Sequence, residues 1–371
     1  MNLEPFTFHL SPFTFHLSPI TSIDPLKDPR WDKFVENHPF GWIVHLSGWK
    51  TVLESSFPHM KGYYLALTNG ADGEIRAALP VFDVNSWLLG RRLVSIPFAT
   101  LSDPLFQQEQ DIEPLLEHVI ELSQQLRASF IEIRTLHSQP LLQDHRLINS
   151  KLFKHHYINL DKPLEELKMT FHRKSVRQEI RRGERNNLNL RIADTESDLP
   201  VFYQIYVKTR KRLGLPAQPY GFFKSLWGVF HSTNRIRLLL AEKNGHVIAG
   251  LIVFTFKDRC SAEHLGSDIA YRDASPDHFL FWQAIQMAHH EGFKIFDFGR
   301  TAVSNESLMV FKSRWGTEVT DLPHFYYPQS AVNRKSNTES SLGYKFLKKL
   351  CCHSPESLFP HIGNFCYRHL G

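Results

Sequence analysis

Gly73-Glu-Ile-Arg-Ala-Ala-Leu-Pro-Val-Phe82 and Gly245-His-Val-Ile-Ala-Gly-Leu-Ile-Val-Phe254 read as two copies of one pattern. Each follows an apolar run, Tyr63–Thr68 in the first case and Ile236–Glu242 in the second. An Asn-Gly or Asp-Gly pair lies between the two runs of each copy. Such pairs tolerate the left-handed backbone of a tight turn, so each copy predicts a β-hairpin. Further on, a helical stretch leads to the strand Phe130-Ile-Glu-Ile-Arg-Thr135. A second helical stretch leads to Phe293–Phe298, followed by Gly299-Arg300-Thr301. Hairpin, helix and strand recurring in one order predict a duplicated α/β unit with mixed sheets.

The chain has 371 residues, 42% hydrophobic and 22% charged, enough for two or three domains with cores of their own. That composition excludes generic disorder. The longest apolar run, Leu251 to Phe256, is far short of the roughly 18 residues a membrane helix needs. Cys260, Cys351, Cys352 and Cys366 are too few and too crowded for a disulfide scaffold. The set Cys351, Cys352, His353, His361, Cys366 and His369 lacks C-x₂-C spacing, so no metal is expected. The first residues carry Glu4, Pro5, Pro12 and Pro19 and no Lys or Arg, so no signal peptide is expected and a cytoplasmic location is. Pro5–Ser11 and Pro12–Ser18 both read PFTFHLS, two copies where a solenoid needs three. The expected division is a disordered tail over 1–20, a first domain over 21–160, a second over 161–328 that carries the active site, and a linker with a basic tail over 329–371.

Helices are expected from Ser47 to about Phe57, over Ile112–Arg127 behind Asp111, over Leu164–Arg185, and from Ser275-Pro276 to near Gly292. The third is strongly charged. His172–Arg185 holds six Lys or Arg against two Glu, and Arg173, Arg177 and Arg181 recur every four residues. On a regular helix they share one face, and a guanidinium stripe suits phosphate oxygens. Lys208, Arg210 and Arg212 form a second basic patch, at a helix end where cations also offset the macrodipole.

The third candidate site is Phe296-Asp-Phe-Gly-Arg-Thr301, which places Asp297 and Arg300 near the carboxyl end of a strand, where open α/β sheets bind ligands. Phe311-Lys-Ser-Arg-Trp-Gly316 follows. Lys312 lies between bulky apolar neighbours, where a desolvated ammonium can stabilise a developing oxyanion. No P-loop, H-E-x-x-H, G-x-G-x-x-G or G-x-S-x-G motif occurs.

Taken in order, these segments resemble the Fem-type peptidyltransferases and their relatives in the GNAT acyltransferase superfamily. Phe171–Arg191 is similar to the family's arginine-rich segment. His264-Leu-Gly-Ser267, Phe296-Asp-Phe-Gly299 and Phe311-Lys-x-x-Trp-Gly316 are similar to its C-terminal signature. The resemblance is clearest over Phe171–Tyr327 and fainter over Trp31–Leu160. It implies two tandem GNAT-like domains and transfer of an acyl or aminoacyl group, from acyl-CoA or aminoacyl-tRNA, to an amine of a cell-envelope, peptidoglycan or exopolysaccharide precursor. It also implies Lys312 as the electrostatic catalyst beside Phe311 and Trp315. Asp297 and Arg300 would orient the acceptor, and the basic residues would meet its phosphates. No tightly bound cofactor is implied.

Three features depart from that family. Glu242-Lys-Asn-Gly-His246 is a tight turn where many members insert a coiled-coil arm. Leu53 stands four residues after Trp49, where the family carries a lysine. Tyr271-Arg-Asp-Ala-Ser-Pro276 has no glycine for a pyrophosphate loop, so CoA would have to use bare helix N–H groups. A member that binds tRNA or a phosphorylated glycan without chemistry is the alternative reading. The basic segment Leu342–Cys352 is suited to peripheral contact with an anionic membrane.

Overall fold

The computed structural model describes residues 20–70, 73–137, 139–331 and 342–371. The tandem heptapeptides and most of the expected linker lie outside them. The first sheet holds β1 (Ile20–Ile23), β2 (Met60–Thr68), β3 (Ile75–Ser86), β4 (Gly90–Val94), β5 (Leu105–Phe106), β6 (Ile131–Arg134) and β7 (Ile148–Ser150). The second holds β8 (Phe153–Asn159), β9 (Asn189–Ile192), β10 (Ile236–Lys243), β11 (His246–Phe256), β12 (Arg259–Ser267), β13 (Ile295–Ala302) and β14 (Glu318–Asp321). A last strand, β15 (His324–Tyr327), returns to the first sheet.

Both repeated segments form the hairpins expected of them, β2–β3 and β10–β11. In the second, Asn244 (φ 52°) and Gly245 (φ 76°) both turn left-handed, the backbone of a two-residue hairpin. The tight turn leaves no room here for the coiled-coil arm that the resemblance brings to this position.

The strand orders are β1-β2-β3-β4-β6-β15-β7 and, read in the same sense, β9-β10-β11-β12-β13-β8-β14. They match position for position, including one parallel contact each, β4 with β6 and β12 with β13. The match hides an exchange. After β7 the chain crosses to the second sheet as β8, and after β14 it crosses back as β15. Each sheet thus contains, next to its parallel pair, a strand from the opposite side of residue 160. A linear division there does not describe the sheets.

Eleven helices complete the described residues: α1 (Pro29–Asn37), α2 (Ser47–Ser56), α3 (Ile112–Gln125), α4 (Leu164–Thr170), α5 (Gln178–Arg185), α6 (Leu199–Leu213), α7 (Tyr220–Phe230), α8 (Pro276–His290), α9 (Glu306–Ser313), α10 (Leu342–His353) and α11 (Phe359–Tyr367). Alternation along the central strands buries both sheet faces. Ala77, Leu79 and Val81 of β3 face α3, whereas Ala78, Phe82 and Val84 face the second domain. Leu251 and Val253 of β11 pack under α8, whereas Ile252 and Phe254 face the first domain. The middle layer is one core. Trp49 of α2 meets Phe222 of α7 and Phe254 of β11 at ring-centroid distances of 6.5 and 5.8 Å.

Two expectations change. The expected helix Leu164–Arg185 is interrupted: α4 ends at Thr170, one π-helical turn spans Arg173–Arg177, and α5 follows. The expected tail over 342–371 folds onto the molecule, burying Cys351, Phe359 and Tyr367 in the middle core. Strand exchange plus a shared core predicts that fragments 1–160 and 161–371 do not fold separately. Circular dichroism should show each largely unfolded alone and native-like signal regained when they are co-expressed. A cooperatively melting 161–371 fragment would refute this.

Candidate functional site

β12 and β13 pair over only three positions, Arg259 with Ile295, Cys260 with Phe296 and Ser261 with Asp297, and then separate. Separating parallel strands leave backbone groups and side chains facing a cleft at their carboxyl ends, the usual ligand position in such sheets. A bulge at Glu263, opposite the Ile252–Val253 step of β11, interrupts the regular alternation of β12 there. On β13, Gly299 takes a left-handed φ of 71° that a side chain would resist, and the strand bends.

That bend presents two carbonyls to Lys312. Lys312 sits on α9, 6% exposed, and its Nζ donates to Gly299 O (3.1 Å) and Arg300 O (2.9 Å). An ammonium has three N–H donors, so one remains for a ligand. Burial lowers the Lys312 pKa to about 8 against the attraction of Asp297 and Glu263, and Arg300 adds to the lowering. Burial likewise pushes the Glu263 carboxyl up to about 7, with Asp297 raising it further while the Ser261 hydroxyl (2.5 Å), Lys312 and Arg300 oppose. A carboxylate near 7 beside a lysine near 8 can take and return protons at neutral pH.

Asp297 is different. Burial works to raise its pKa, yet His155 Nε2 (2.9 Å), Arg259 Nη1 (2.8 Å) and the Gly299 N–H (2.6 Å) hold it well below the usual carboxylate range. It stays ionised, 1% exposed, with its oxygens engaged by protein groups. Its negative charge favours the protonated form of Lys312, while its own oxygens are taken up by protein donors.

The first domain explains this set. Glu132 of β6 holds the same sheet position as Asp297, opposite Tyr326 as Asp297 is opposite Tyr157. His324, two residues before Tyr326, bonds Glu132 (3.2 Å) as His155 bonds Asp297, and Arg134 also bonds Glu132 (3.0 Å). The histidine comes from the exchanged strand in both copies, so carboxylate, histidine and arginine tie that strand into its host sheet. Arg300 pairs with His155 as Arg134 pairs with His324. It turns toward Glu132, Arg134 and Tyr367 at the domain junction, where burial lowers its pKa to about 10.

The copies differ in the rest. Val94 stands where Ser261 does, and Ile96, two residues on, takes the place of Glu263. Between β6 and β7 the chain runs through Gln139-Pro-Leu-Leu142 where the second domain has α9 and Lys312. The ion set is duplicated, whereas the lysine and the glutamate occur once.

Trp315 is fully buried against Phe171 (5.3 Å), His278, Phe281 and Phe298, so it packs the end of α9 onto the core. Phe311 is partly exposed beside His278 and Phe281. Arg173, Arg181, Lys208 and Arg212 are exposed. The π turn takes an extra residue into its hydrogen-bonded loop, so the expected straight stripe is broken, and Arg177 turns to Met169 Sδ (2.9 Å). Arg210 Nε donates to Pro216 O (3.1 Å) in the loop that follows α6.

At the start of α8, Ser275 is left-handed, Pro276 offers no N–H, and Asp277 places a carboxyl in the first turn. Asp277 Oδ1 is buried without a partner, and burial raises the group's pKa. The corresponding helix of the first domain, α3, opens among Glu109, Asp111 and Glu113. Acidic residues at both helix starts are unsuited to a pyrophosphate. Glu263 and the second copy of the ion set escaped the sequence reading. The His-x-Tyr of His155–Tyr157 and His324–Tyr326 is the signal that was there to find.

Comparison with known proteins agrees with this arrangement. Residues 170–312 match the acetyltransferase (GNAT) domain family. No protein of curated function matches the chain by sequence. Among solved structures, FemX is similar over 86% of this chain and 99% of its own, with 15% identity and a TM-score of 0.67. L-PGS from Bacillus licheniformis is similar over 90% and 99%, with 14% identity and a TM-score of 0.54. A tandem GNAT protein from the clavulanic acid biosynthesis pathway covers 83% and 97%, with 11% identity and a TM-score of 0.53. Residues 170–312 thus carry a GNAT acetyltransferase-type domain, and the chain as a whole has the tandem fold seen in FemX and the tandem GNAT protein.

Proposed function

We propose that the second domain transfers an acyl or aminoacyl group from an activated donor to a primary amine of a cell-envelope, peptidoglycan or exopolysaccharide precursor, in the cleft between β12 and β13. The observation that carries this is the asymmetry of the copies, because Lys312 and Glu263 stand only where the second cleft opens. The amine nitrogen attacks the acyl carbonyl carbon, and Glu263 takes the proton it loses. The remaining N–H of Lys312 meets the oxyanion. The bond to the leaving oxygen or sulfur then breaks, and the proton passes from Glu263 to that atom. Phe311 borders the cleft, and Asp297 keeps Lys312 charged from below.

Between the two donors, the start of α8 favours the ester of an aminoacyl-tRNA. Pro276 and Asp277 remove a donor and add a carboxyl where a pyrophosphate would bind. The exposed Arg173, Arg181, Lys208 and Arg212 suit the phosphates of a tRNA or of a phosphorylated precursor. FemX and L-PGS, the structural relatives, make an envelope acceptor the first to test. Mass spectrometry of products from parallel incubations with aminoacyl-tRNA and with acyl-CoA, each with amine acceptors, decides the donor. Product is expected from the ester. Product from acyl-CoA alone would overturn that choice, and product from neither donor with any amine would overturn the activity.

A further inference from the structure

β3 and β4 are joined by Trp87-Leu88-Leu89, followed by Gly90 at φ 80°, a three-residue hairpin loop. All three side chains are exposed, Trp87 at 79%. Successive residues of a hairpin point to opposite sides, so exposure of three in a row means that the tip projects clear of the protein. The tip is nevertheless braced. Leu89 N donates to Ser86 Oγ (2.9 Å), Ser86 Oγ meets His369 Nδ1 (2.9 Å), and Arg92 donates to His369 O (2.7 Å). The His369 ring joins the tip to α11, with its centroid 5.1 Å from Trp87 and 5.0 Å from Phe365. Leu358, which caps the start of α11, and Phe365 on it, seven residues apart and both about half exposed, extend the apolar surface. A braced array of exposed Trp, Leu and Phe is not what a water-facing loop needs.

We propose that this hairpin tip and the outer face of α11 dock the protein on an anionic lipid surface. A projecting tip fits a fluid interface better than a flat protein face, and tryptophan favours the headgroup level. The surrounding charge agrees. Arg368 is exposed at the end of α11, and Arg91, the second residue of β4, has Asp83 as its partner. Exposed Arg127 lies in the turn whose Ser129 bonds Arg91 O. Exposed Glu356, before Leu358, and the Asp83 paired with Arg91 are acids on that side. Basic residues flanking an apolar tip are drawn to anionic headgroups. The inner face of α11 carries Tyr367 toward Arg300 at the domain junction, so docking would hold the catalytic domain near a lipid-borne acceptor.

The protein reports on this itself. Of its seven tryptophans, the six others are buried. Vesicles of phosphatidylglycerol and phosphatidylcholine should therefore blue-shift the fluorescence of Trp87 and protect it from acrylamide, and the full chain should co-sediment with them. Pure phosphatidylcholine should bind at least tenfold more weakly. Trp87→Ser with Leu88→Ser and Leu89→Ser should lose binding at least tenfold while turnover of a soluble amine acceptor is unchanged. Leu88→Ser alone, with Trp87 in place, should weaken binding in the same direction. The proposal is overturned if the intact chain stays in solution with an unshifted spectrum. It is equally overturned if Phe346→Ala on α10 releases the protein while the triple variant stays bound. A dimer abolished by the triple variant, with no vesicle binding, would make the patch a contact between copies of the chain instead.

Discussion

Replacing Lys312 with methionine is expected to lower kcat by about 10²–10³ and to leave KM for the acceptor nearly unchanged. A single preorganised oxyanion donor is worth that much in hydrolytic enzymes, and the effect falls on the transition state because the negative charge exists only there. The side chain's position gives the reason. Two N–H groups are held by Gly299 O and Arg300 O, so the third is aimed without reorganisation when charge develops. Methionine keeps the volume of the buried stem but leaves those carbonyls without their donor. A stability loss of about 1–3 kcal/mol is therefore also expected. Thermal unfolding measured beside kcat separates the two effects. A folded variant that turns over at the wild-type rate would remove Lys312 from the chemistry.

Replacing Glu263 with glutamine should lower kcat/KM by about 10²–10⁴, the usual range for a positioned general base. It should also change the shape of the pH profile. In the wild type, kcat/KM is expected to rise as Glu263 loses its proton near pH 7 and to fall as Lys312 loses its own near pH 8. The profile is a narrow bell with its top between those values. Below pH 7 the glutamate is protonated and cannot accept the amine's proton. Above pH 8 the lysine is neutral and stabilises the oxyanion poorly. Glutamine should erase the acid limb and leave the alkaline one. Lys312→Arg, which stays charged, should do the reverse on a lower rate. An unchanged acid limb in Glu263→Gln would assign the base to another group.

Much of the fold could be read along the chain because its signals are local. Asn244-Gly245 requires left-handed backbone at both positions, and a β-hairpin is the structure that uses it. The Phe311–Gly316 motif was legible for the same reason, as an apolar pair flanking a lysine. Reading failed where the partner is distant. Leu164–Arg185 has helical composition throughout, but Phe171 is pulled into the core against Trp282 and Trp315, and His172 N bonds Arg314 O, so the helix breaks there. Spacing does not report burial, so the sequence suggests Trp315 as a ligand contact where the structure buries it in the core. The expectation that Arg300 meets the acceptor fails because the charges it interacts with, Glu132 and Arg134 of the other sheet, lie more than 160 residues away in sequence.

The sequence by itself determined the two hairpins, the helix that follows each, the tight turn in place of an arm, and the lysine at the end of the second repeat. These depend on turn chemistry and on periodicity over a few residues. The tertiary structure alone decided which sheet receives β8 and which receives β15, since a strand's partner is chosen by the sheet edge it meets and not by its own residues. It also decided the roles of the acids. Asp297 and Glu263 are both carboxylates on adjacent strands, and nothing in their local sequence ranks them. Three donors converge on Asp297 and keep it ionised, whereas the bulge leaves Glu263 desolvated with few partners, and that difference is why Glu263 is the one proposed as the base.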